Sequence, residues 1–75
     1  RVYPNPAKDK LYLRHSDEDI RFREISIKNL NGSVVHYQRK YDKEKGIDID
    51  KLSGGVYFMD LKVGERIIHR KIIKE

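Results

Sequence analysis

Asn31-Gly32 sits between two runs of strand-forming residues, and it constrains the fold more than any other feature of the chain. Asn-Gly is the strongest short hairpin signal, because both residues tolerate positive φ. Before it, Ile25 and Ile27 alternate with Glu24, Ser26 and Lys28, the period-two pattern of a strand with one buried and one wet face. After it, Val34-Val35-His36-Tyr37 carries β-branched and aromatic side chains. The pattern predicts a β-hairpin turning at residues 30–33.

The same grammar repeats along the rest of the chain. Lys10-Leu11-Tyr12-Leu13-Arg14 reads as a short strand, followed by a polar loop over 15–19. The charged stretch 39–45 reads as a solvent-facing connection or a frayed strand end. Ile47-Asp48-Ile49-Asp50 alternates with its aspartates outward, and Leu52 is an apolar plug in the turn over 51–55. Residues 56–63 form the longest β-prone run, Gly64-Glu65 turns the chain, and residues 66–74 make the last strand. A helix there is disfavoured by the β-branched pairs Ile67-Ile68 and Ile72-Ile73. At the start, the two prolines of Val2-Tyr3-Pro4-Asn5-Pro6-Ala7 predict an extended entry. Six or seven short strands with no strong helix signal specify an all-β sandwich or small barrel.

At 75 residues the chain is one domain, 1–75, expected to be a segment of something longer. A chain this size buries only about 60% of its unfolded surface. Cysteine is absent, so packed aliphatic and aromatic side chains must supply the stability. No stretch approaches the roughly 18 apolar residues of a membrane helix. The net charge is +5, but the 17 basic residues are interrupted by 12 acidic ones, as in Asp42-Lys43-Glu44-Lys45. That mixture describes a solvated surface and argues against a nucleic-acid partner.

No constellation for chemistry stands out. Asp42, Asp48, Asp50 and Asp60 lack the spacing of a calcium loop, and His15, His36 and His69 lack zinc-like spacing. Ser16, Ser26, Ser33 and Ser53 fall in turns or on alternating strand faces, where no nucleophile–base–orienter set can be assembled. The expectation is a non-enzyme with no metal and no cofactor. Of the five tyrosines, Tyr12 and Tyr57 read as packing residues, and Tyr41, in its charged stretch, as the exposed one; Tyr3 and Tyr37 complete the set.

The order of the pieces carries more than any one of them. Tyr3-Pro4-Asn5-Pro6-Ala7, Leu11-Tyr12-Leu13, Ile25 through Val35 with Asn31-Gly32, Ile47-Asp48-Ile49, Leu52-Ser53-Gly54-Gly55-Val56-Tyr57 and Lys71-Ile72-Ile73-Lys74 follow in turn. This order resembles the type A C-terminal sorting domain of type IX secretion cargo, found in Bacteroidota, over essentially the whole chain. The resemblance implies an immunoglobulin-like antiparallel β-sandwich attached to an upstream covalent cargo domain. It implies recognition by the type IX translocon and then removal by a cell-surface sortase, which often joins the cargo to an anionic lipopolysaccharide. The destination is then the cell surface or the medium, reached through the periplasm and outer membrane. Carried over by residue, the opening motif falls on Pro4, Asn5 and Pro6 and the hairpin glycine on Gly32. The glycine-aromatic segment falls on Gly55, Val56 and Tyr57, and the terminal basic residue on Lys74. Lys28 stands where the family commonly has an aromatic residue, and Ser33 where it has a long polar one.

Two further expectations concern the last strand. Ile72 and Ile73 suggest an edge open to strand addition by another β-protein, with Lys71, Ile72, Ile73 and Lys74 as what the export machinery reads. The same bare edge permits an edge-strand dimer. The competing reading is an immunoglobulin-like carbohydrate- or surface-binding module of an extracellular enzyme or adhesin, using tyrosines and basic residues.

Overall fold

The computed structural model describes residues 1–14 and 22–75. The loop expected over 15–19 lies outside them, as do His15 and Ser16. The described residues form seven strands and no helix: β1 (Val2–Tyr3), β2 (Lys10–Leu13), β3 (Phe22–Lys28), β4 (Val34–Gln38), β5 (Ile47–Asp48), β6 (Gly55–Val63) and β7 (Arg66–Lys74). They assemble into a three-stranded sheet ordered β1-β2-β5 and a four-stranded sheet ordered β4-β3-β6-β7. Every strand pair is antiparallel. The architecture is an immunoglobulin-like sandwich.

Alternation explains which side chains fill the space between the sheets. Leu11 and Leu13 of β2 and Ile47 of β5 come from one side. Ile25 and Ile27 of β3, Tyr57, Met59 and Leu61 of β6, and Ile72 of β7 come from the other. Ala7 and Ile49, outside the strands, complete the core. Eight of these residues, Ala7 among them, are under 2% exposed, and a fully buried Ile or Leu is worth about 1.5–3 kcal/mol. Leu52 packs against the core as an apolar plug. Ile49 lies just past β5, where its N–H donates to the Asp9 carbonyl at 2.9 Å, so the strand expected over 47–50 is shorter than the alternation suggests.

The β3–β4 hairpin forms, but not around a two-residue turn. The Gly32 N–H donates to the Asn29 carbonyl and the Asn29 N–H to the Ser33 carbonyl, both at 3.0 Å. This encloses a three-residue loop, Leu30-Asn31-Gly32, whose single left-handed residue is Gly32 at φ +85°. Such loops place glycine at the position where the chain must turn back into its ladder. The loop is organised by Asn29, whose Oδ1 accepts the N–H groups of Asn31 and Ser33, each at 3.0 Å. A register shift between Ile27 and Lys28 accompanies it.

Tyr41 is also placed differently from expectation. It packs against the core, and its hydroxyl accepts the Leu13 N–H at 2.9 Å. Its charged neighbours belong to a solvent-facing turn, in which Asp42 Oδ1 accepts the Glu44 N–H at 2.8 Å. That turn ends at Gly46, with φ +70°, where an added Cβ would lie 2.7 Å from the Tyr12 ring and 2.9 Å from the Leu11 carbonyl oxygen. Tyr37, at 49% exposed, is the tyrosine that faces solvent.

Candidate functional site

The two ends of the chain meet. Past Tyr3 the backbone bends over residues 4–6 rather than running straight on, leaving β1 in one sheet and arriving beside β7 in the other. Prolines suit this crossing because neither has an N–H to leave unpaired. At Ala7 the segment becomes a short parallel partner of β7. The Ala7 N–H donates to the Ile73 carbonyl at 2.8 Å, and the Glu75 N–H donates to the Ala7 carbonyl at 2.7 Å.

Upstream of Ala7 the proline at position 6 has no N–H with which to continue that ladder. The Asn5 side chain takes over. Its Nδ2 donates to the Lys71 carbonyl at 3.1 Å, and its Oδ1 accepts the Ile73 N–H at 3.0 Å. The primary amide presents a donor and an acceptor side by side, as a peptide group does. One side chain and one alanine thus engage four backbone groups of the last strand's end. The edge expected to be open at Ile72 and Ile73 is therefore occupied, by residues that lie 66 and 68 positions away from Lys71 and Ile73.

The other motif residues border the same seam. Gly55 stands opposite Lys74, Val56 opposite Ile73 and Tyr57 opposite Ile72. Gly55 holds φ +153°, a conformation L side chains rarely adopt. Tyr57 is buried and its hydroxyl donates to the Ser53 carbonyl at 2.6 Å, pinning the turn that leads into β6. Pro4, Asn5, Pro6, Gly55, Val56, Tyr57, Lys71, Ile72, Ile73 and Lys74 therefore form one continuous band: N-terminal segment, β7, β6. Gly32 is not part of it, lying in the β3–β4 loop across the sheet.

The band is a surface of backbone and cations rather than a cleft. Ile72 is buried, Ile73 is 39% exposed, and Lys71 is exposed. On the outer face of the same sheet, Asp60 accepts from His69 Nδ1 at 2.5 Å and pairs with Lys28 at 3.6 Å. Ser26, Asp60 and His69 occupy one row across β3, β6 and β7. The carboxylate stands between the other two, so Ser26 and His69 are two strands, or about 10 Å, apart and cannot exchange a proton directly. Among the described residues no group of three or more His, Cys, Asp or Glu is placed to hold a metal ion.

The motif residues carried over from the family resemblance name both ends of this band, and the structure places those ends side by side. Sequence reasoning missed Ala7, fully buried at the crossing, although a small residue directly after Pro-Asn-Pro is the signal of a close approach. A family described as the secretion system C-terminal sorting domain matches residues 1–75, the whole chain. No curated protein and no solved structure matches it.

Proposed function

Because the chain belongs to the family of secretion system C-terminal sorting domains that serve type IX secretion, we propose that it carries an upstream covalent cargo to the type IX outer-membrane translocon and is then removed by a cell-surface sortase. The family is one of secretion signals rather than catalysts, and a sorting signal of this type implies export to the cell surface or secretion. The observation that carries the reading is the match over the full 75 residues. In this reading the translocon reads the folded domain at the band around β7, with Lys71 and Lys74 as its charged members. The sortase acts upstream of the sandwich, joining the released cargo to an anionic lipopolysaccharide. The convergence of Pro4, Asn5, Pro6, Gly55, Val56 and the exposed residues of the last strand on one surface, with Tyr57 and Ile72 packed beneath it, supports recognition of a folded module rather than of a linear tail.

Residues 1–75 fused behind a reporter with an inner-membrane export signal, in a host with the type IX apparatus, test this. Delivery of the reporter to the surface or medium is expected, and its retention in the periplasm overturns the reading. Deleting residues 71–75 removes bonds to Asn5 and Ala7 and so confounds recognition with folding. The sharper variant is Lys71→Ala with Lys74→Ala, which leaves those backbone bonds in place. Reduced export at an unchanged thermal midpoint is expected; undiminished export removes the lysines from the recognised surface.

A further inference from the structure

We propose that the outward edge of β7 upstream of the seam, at Ile67, His69 and Lys71, is a strand-addition site for an extended acidic peptide, bounded downstream by the Asn5 side chain. Both the N–H and the C=O of Ile73 turn away from β6 to meet the N-terminal segment. In an antiparallel ladder alternate residues aim their backbone groups the same way, so Ile67, His69 and Lys71 also face outward. The Lys71 carbonyl is taken by Asn5 and the His69 carbonyl by the guanidinium of Arg70 at 2.8 Å. Among the described residues, no partner meets either backbone group of Ile67 or the N–H groups of His69 and Lys71. This leaves four of the six outward backbone groups without a partner along about five residues, or about 17 Å, a pairing template as long as an ordinary strand.

Charge decides what fits it. Arg66, Arg70, Lys71 and Lys74 lie along β7, Lys62 stands opposite Ile67, and the one acid across from the stretch, Asp60, already engages His69 and Lys28. A second copy of β7 would bring like charges face to face, which destabilises cross-strand pairs. A strand alternating acidic and apolar residues would set its carboxylates on the face that carries Arg66, Arg70 and Lys74 and its apolar side chains beside Ile67, with main-chain hydrogen bonds supplying the affinity. The site requires neither a translocon nor a cargo.

The test is amide hydrogen exchange, resolved by residue with NMR, on the 75-residue protein. The probe is the capped heptapeptide Glu-Val-Glu-Val-Glu-Val-Glu, with its Lys-Val counterpart as control. Exchange at the amides of Ile67, His69 and Lys71 is expected to slow by about tenfold or more with the acidic peptide. The effect should fade as salt is raised, and the basic peptide should not produce it. Unaltered exchange overturns the proposal, as does equal slowing by both peptides. Slowing confined to β4, or self-association of the protein without peptide, assigns the sticky edge elsewhere and also overturns it. In Asn5→Ala the slowing is expected to extend to the Ile73 amide; exchange there unaffected by the peptide removes Asn5 as the boundary.

Discussion

The two outer strands of the four-stranded sheet manage their edges in opposite ways. β7, nine residues long, has its final third covered by the chain's own opening segment through Asn5 and Ala7. β4, five residues long, leaves Val34 56% and Tyr37 49% exposed and is interrupted at its start by the register shift opposite Lys28. A short, bulged edge is a poor template for pairing, whereas a long regular one needs covering. The difference teaches what the Pro-Asn-Pro motif does physically. It brings a side-chain amide to a strand whose neighbour, being proline, cannot supply the peptide N–H.

The contrast is most open to attack in the core beneath each edge. Ile72→Ala is expected to cost about 2–5 kcal/mol, because Ile72 is 1% exposed and closes the core under the seam. Val35→Ala on β4 should stay within about 0.5 kcal/mol, the range of ordinary surface changes. Denaturant unfolding of the two variants checks this, and similar losses at both would mean that β4 is packed more tightly than its exposure indicates.

The next test is Asn5→Ala, which removes two exposed bonds and should cost about 1–3 kcal/mol. Asn5→Asp keeps an acceptor for the Ile73 N–H but sets a carboxylate oxygen against the Lys71 carbonyl, so it should recover little of that loss. Wild-type stability in Asn5→Asp would show that the Nδ2 donor contributes nothing and that the acceptor alone covers the edge.

What could be read from the sequence follows from range. Alternation is local, so the buried faces at Ile25, Ile27, Ile47 and Ile49 were legible, and so were β6 and β7 as strands. The pairing of Asn5 with Lys71 and Ile73 spans nearly the whole chain, and no local pattern marks a strand edge as covered. The resemblance to a family supplied the motif residues without saying that they touch. Tyr41 misled for a related reason: its charged neighbours describe the turn after it, while its own side chain reaches back to Leu13. Asn29 was passed over because Asn31-Gly32 fits a tighter turn; the register shift beside Lys28 makes room for a loop one residue longer.

On the β4 side the smaller effects sharpen the comparison. Gly32→Ala should cost about 1–2 kcal/mol through φ +85° alone, since nothing lies within 4 Å of an added Cβ. Denaturation at unchanged m-value would report it, and no loss would mean that the loop relaxes without disturbing β4.

Tyr41 gives the smallest and most informative change, since it secures the chain leaving β4 much as Asn5 secures β7, a side chain answering a backbone group. Tyr41→Phe strips the part-buried Leu13 N–H of this acceptor and should cost about 0.5–1.5 kcal/mol. Burial pushes the Tyr41 phenol above its usual value of 10.0. The folded state then holds this proton more tightly than the unfolded chain does. Its contribution is full below pH 10.0 and is lost as pH rises through the raised value. Urea midpoints followed from neutral to strongly alkaline pH should therefore fall less steeply in Tyr41→Phe than in the wild type. Parallel curves would mean that the phenol ionises as freely in the fold as out of it, and that β4's exit is held by packing alone.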